Sequence, residues 1–71
     1  MEWRVRSKEL KRRRIEMGVT TERMAEVLNV SEHHIKNFEK VGLRRRVTYE
    51  LAEEMSWFLR CEVSDIAYEW D

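Results

Sequence analysis

Seventy-one residues, 42% hydrophobic and 39% charged, make one small domain, residues 1–71, whose core supplies no more than about 3–5 kcal/mol. The lone Cys61 excludes an intrachain disulfide and suits a reducing compartment; no apolar run approaches the roughly 20 residues of a bilayer span, and no apolar leader follows Met1, so a cytoplasmic protein is expected. The formal charge is +0, yet residues 1–46 hold 13 basic against seven acidic side chains, a net +6, while residues 47–71 set Arg60 alone against seven acids, a net −6.

The chain opens with Trp3 and Val5 alternating against Glu2, Arg4 and Arg6. Alternation of this kind suits a short strand, free to pair with a second copy, or an ordered tail that packs Trp3 on the domain. Ser7 is placed to cap a first helix over roughly 7–17, with Leu10, Arg14 and Met17 on one face, and Gly18 stops it with a left-handed residue. Thr20 caps a second helix over 21–28, whose Met24, Ala25 and Leu28 share a face. Asn29, one of the few non-glycine residues that tolerates positive φ, turns the chain, and Ser31 caps a third helix over 31–40 with Ile35 and Phe38 inward. Val41-Gly42-Leu43 breaks that helix, and Arg44-Arg45-Arg46 follows.

Thr48 caps a fourth helix over 48–59, built on Leu51, Ala52, Met55 and Leu59. Trp57 and Phe58 are neighbours and diverge by about 100° on a helix, so they cannot both face one core. Ser64 caps a last short helix, with Ile66, Ala67, Tyr68 and Trp70 as its apolar part. The economical architecture is all-α, five helices around one core, with the short N-terminal strand as an option. Three Trp, two Tyr and two Phe exceed what so small a core absorbs. Aromatics are favoured interface anchors, so a homodimer through Trp57, Phe58 and Trp70 is expected; otherwise these side chains simply cover the core.

Residues 21–40 resemble the DNA-binding helix-turn-helix of the Cro and phage-repressor (XRE-like) family, and the resemblance extends in register from Leu10 to Ile66. It implies a repressor-like fold whose third helix reads the major groove of double-stranded DNA. Ser31, Glu32, His33 and Asn37 then stand at base edges: Asn37 can pair with adenine, Glu32 can accept from cytosine, and His33 can donate to guanine. Backbone contacts would come from Thr21, Arg23, His34, Lys36, Lys40, Arg44, Arg45 and Arg46, for the loop after the third helix runs along phosphates in this family. The family often carries glutamine where this chain has Thr21, which reaches less far. Arg23, for its part, can equally be a solvated charge. The resemblance also implies an ion pair between Arg14 and Glu39, consistent with the need of a guanidinium on an apolar face for a bidentate carboxylate.

A small transcriptional regulator acting as a homodimer on a palindromic operator is therefore expected, most plainly as a repressor that works by occupancy. The alternative is a protein-interaction module on the same fold, such as an antitoxin-like partner, favoured by the zero net charge, Glu32 and the aromatic surplus. Enzymatic chemistry has no candidate constellation, and no cofactor or small-molecule effector site is indicated. Adjacent His33 and His34 diverge too far to share a metal.

Overall fold

The same local device opens three of the helices. In the computed structural model, which describes residues 1–70, the hydroxyls of Thr20, Ser31 and Thr48 accept from the amides of Arg23, His34 and Leu51 at 3.0, 3.1 and 3.1 Å. These caps satisfy amides the first helical turn leaves without partners, and they begin α2 (Thr21–Leu28), α3 (Glu32–Phe38) and α4 (Tyr49–Leu59). The first helix, α1 (Ser7–Glu16), starts differently. Ser7 lies inside it and is buried, and Arg6 holds the cap position without a side-chain bond. The last helix, α5 (Val63–Ile66), is capped not by Ser64 but at Glu62, whose amide donates to Asp65 Oδ2 at 2.9 Å.

Asn29 ends α2 at φ 57°, the left-handed conformation expected of it, and residues 29–31 swing α3 across α2. Gly18 ends the first helical segment at φ 71°, where a side chain would be strained. Leu10, Met24, Ile35, Phe38, Met55 and Ile66 are the largest fully buried side chains, one or more from each helix, and they form one core.

The all-α expectation holds for the five helices and fails at the two ends of the chain and in the segment between α3 and α4. Three strands, β1 (Glu2–Val5), β2 (Arg46–Val47) and β3 (Ala67–Trp70), form an antiparallel sheet in the order β2-β1-β3. The N-terminal alternation is thus a strand, but it pairs within the chain rather than with a second copy: Trp3 lies opposite Val47 and Glu69, and Val5 opposite Ala67. The expected final helix stops at Ile66. Ala67, Tyr68, Glu69 and Trp70 alternate with a period of two, and β-prone aromatics next to an open strand edge favour pairing over one more helical turn.

Val5, Val47 and Ala67 point to the core, while Glu2, Arg4, Arg46, Tyr68 and Trp70 share the outer face. Arg4 and Arg46 face each other across β1 and β2, a like-charge pair that Glu2 bridges: its carboxylate lies 2.6 Å from Arg4 Nη2 and 3.0 Å from Arg46 Nε. Both guanidiniums, the hydrogen bond from Arg46 foremost, hold the Glu2 carboxyl below its usual range. No helix among the described residues is long and apolar enough to cross a membrane.

Candidate nucleic-acid interface

One ion pair fastens the C-terminal end of α3, whose Ile35 and Phe38 are already in the core. Arg14 Nε and Nη2 donate to the two carboxylate oxygens of Glu39 at 2.6 and 3.0 Å, and Arg14 Nη1 donates to the Val19 carbonyl oxygen at 2.6 Å. Only 11% of the Arg14 side chain and 7% of the Glu39 side chain remain exposed. The guanidinium thereby ties α1, the entry to α2 and the C-terminal end of α3 together. The expected pairing of Arg14 with Glu39 is present, in bidentate form.

With Ile35 and Phe38 buried, α3 turns its other face outward. Ser31, His33, His34 and Asn37 line a concave groove together with Arg45 and Arg46. The structure therefore brings three of the four expected base-contact residues and three of the expected backbone-contact residues to one place. His33 is exposed and Asn37 half-buried, and neither side chain is engaged in a hydrogen bond among the described residues. His34 is committed differently: its ring sits edge-on to Phe38, with centroids 4.6 Å apart. Ser31 spends its hydroxyl oxygen on the α3 cap. Lys40 is exposed just past the end of α3.

Glu32 and Thr21 are joined rather than independently available. The Thr21 hydroxyl donates to Glu32 Oε2 at 2.8 Å, linking the first turns of α2 and α3, and Lys36 Nζ lies 3.6 Å from the same oxygen. The Thr21 hydrogen bond is the main cause of a Glu32 carboxyl held below its ordinary value of 4.5; desolvation opposes it and Lys36 adds to it. A depressed folded-state value means that this tie is present above the ordinary carboxylate range and is lost as pH falls through the folded value. In a side-chain NMR titration, the Glu32 midpoint is expected below that of an ordinary glutamate, and Thr21→Val should move it upward. An unchanged midpoint in Thr21→Val would show that the hydroxyl does not hold the carboxylate.

Arg23 is turned to Glu26 at 2.8 Å on an open surface. Arg44, Arg45 and Arg46, expected as three equivalent loop charges, play three different parts. Arg46 belongs to β2 and donates to Glu2, so it is a sheet residue as much as a free cation. Arg44 takes φ 48°, unusual for a non-glycine residue; its carbonyl oxygen accepts from Arg4 Nη1 at 2.8 Å and its guanidinium lies over the Trp70 ring at 5.3 Å. Arg45 has its carbonyl oxygen pinned by the Val5 amide at 3.0 Å, while its side chain is exposed without an ion pair among the described residues.

Trp70, expected at a dimer interface, instead lies between Arg44 and Arg4, whose guanidinium is 5.4 Å from the ring. It is half-buried in the sheet that positions the arginine loop, because β3 carries it there. Sequence reading missed the part played by Arg4 and Arg6: Arg6 stacks on Tyr68 at 5.0 Å and donates to the Ser64 carbonyl oxygen. Their alternation with Trp3 and Val5 was a usable signal, but only with β3 known as the partner strand.

Among the described residues no three His, Cys, Asp or Glu side chains converge as metal ligands. Burial pushes the Cys61 thiol up, away from thiolate reactivity. Neither a family model nor a curated protein matches the chain.

Proposed function

We propose that the protein binds double-stranded DNA sequence-specifically as a small transcriptional regulator of the Cro and phage-repressor (XRE-like) kind, with α3 in the major groove and two copies on a palindromic operator. The observation that carries this reading is the groove in which uncommitted His33 and Asn37 stand beside Arg45 and Arg46. An imidazole and a carboxamide on a rigid helix can read base edges, and a backbone-pinned arginine can hold a phosphate. The division of charge supports it too, since the basic residues of positions 1–46 include every cation of this groove. Phosphate responds to that local field rather than to the zero sum. Repression would follow from occupancy of the operator.

The protein-interaction alternative draws on Glu32 in α3 and on the exposed Trp57. Its first support is weakened by the Thr21 and Lys36 contacts that occupy the Glu32 carboxylate.

Selection from a randomised duplex pool at moderate salt tests the proposal. An enriched palindrome is expected, with half-sites about one helical turn, or about 34 Å, apart. Retention without enrichment would overturn specificity. No retained duplex at low salt would overturn DNA binding altogether.

A further inference from the structure

The outer surface of α4 carries a pattern the DNA groove does not use. Trp57 is 83% exposed, the most exposed aromatic side chain described, and Val27 is 45% exposed. Both side chains line an open groove of about 760 Å³, together with Leu28, Phe58, Glu53 and Glu54. It shares no residue with the groove at α3.

Glu53, Trp57 and Arg60 fall at positions i, i+4 and i+7, so they form one stripe along α4 and its C-terminal cap. The stripe is acidic at one end, aromatic in the middle and basic at the other. Glu53, Glu54 and Arg60 take part in no salt bridge among the described residues, so, like Arg45, they are free to meet a partner. An apolar stripe with opposite charges at its two ends is self-complementary under a two-fold rotation. Two such helices packed antiparallel around Trp57 set each Arg60 against the other copy's acidic end. A parallel arrangement would set acid on acid.

We infer that α4 is a homodimerisation surface, with Trp57 seated in the second copy's groove of Val27, Leu28 and Phe58 and Arg60 paired with that copy's Glu53 or Glu54. This deepens the two-copy part of the proposed function and stands apart from its DNA part. Of the three aromatics expected at an interface, it retains Trp57 and Phe58 and releases Trp70.

Sedimentation equilibrium of the full chain without DNA is the test. The unaltered protein is expected to dimerise reversibly. Trp57→Ala should weaken association on the order of tenfold or more, as loss of a central tryptophan anchor does. Its thermal unfolding as a dilute monomer should not change, since the side chain is exposed. Arg60→Glu alone, and Glu53→Arg with Glu54→Arg alone, should each be monomeric. Mixed together they should form a heterodimer, because each acid again meets a base. A protein that stays monomeric at high micromolar concentration would overturn the inference, even if it binds DNA. So would a dimer indifferent to Trp57→Ala, or charge variants that do not recover on mixing.

Discussion

Arg14→Ala is expected to lower the unfolding free energy by about 3 kcal/mol or more, the scale seen when one partner of a buried ion pair is removed. The substitution leaves Glu39 almost fully enclosed without its bidentate partner and deprives the Val19 carbonyl oxygen of a donor. Set against the roughly 3–5 kcal/mol available to a core this small, the loss removes most of the domain's stability. Urea titration followed by circular dichroism measures it. The neighbour Arg12 gives the contrast: it bridges Glu9 and Glu16 on an open helix face, with 47% of its side chain exposed, and Arg12→Ala should leave the urea midpoint nearly unchanged. Paired replacement of Arg14 and Glu39 by apolar residues should do less damage than either alanine alone, because no charge is left stranded. If Arg14→Ala and Arg12→Ala unfold at the same urea concentration, the buried ion pair does not stabilise the domain.

The second large effect concerns DNA and separates two kinds of contact. Asn37→Ala should lose about 1–3 kcal/mol of discrimination at one base position while leaving non-specific affinity nearly untouched. Arg45→Ala should weaken binding to every duplex alike and reduce the slope of log affinity against log salt by about 1. Competition binding on a panel of single-base operator variants, repeated across a salt series, distinguishes them. The same loss on every sequence from both substitutions would mean that α3 reads no base through Asn37.

The starts of α2, α3 and α4 were legible because their causes are local. Thr20, Ser31 and Thr48 need only the amide three residues ahead, and Asn29 needs only its own tolerance of positive φ. The inward faces of α2 and α3 followed from spacing alone. The Arg14–Glu39 contact, 25 positions apart, came through family resemblance and the demand of a guanidinium on an apolar face for a carboxylate. The sheet was only half legible, since β3 takes its conformation from β1 at the other end of the chain. Once Tyr68 and Trp70 are read as helical, Trp70 becomes a surplus aromatic, and the arginines that enclose it become loose surface charges. The site inherits that limit: His33 and Asn37 were placed by the family resemblance on a helix whose inward face its own period gives, but the distinct settings of Arg44, Arg45 and Arg46 depend on strands that pair across the chain.

That pairing also sets a clock. β1 meets β3 only by closing nearly the whole chain into a loop, whereas α2 and α3 meet across residues 29–31. Closing the larger loop loses more entropy before any contact rewards it, so the helical pair is expected to form first and the sheet to zip late. Contacts made after the barrier leave the folding rate alone and govern the unfolding rate. The bridge of Glu2 to Arg4 and Arg46 and the stacking of Arg4 on Trp70 belong to that late group. The domain should therefore fold at a pace set by its helices and come apart at a pace set where its first and last strands meet.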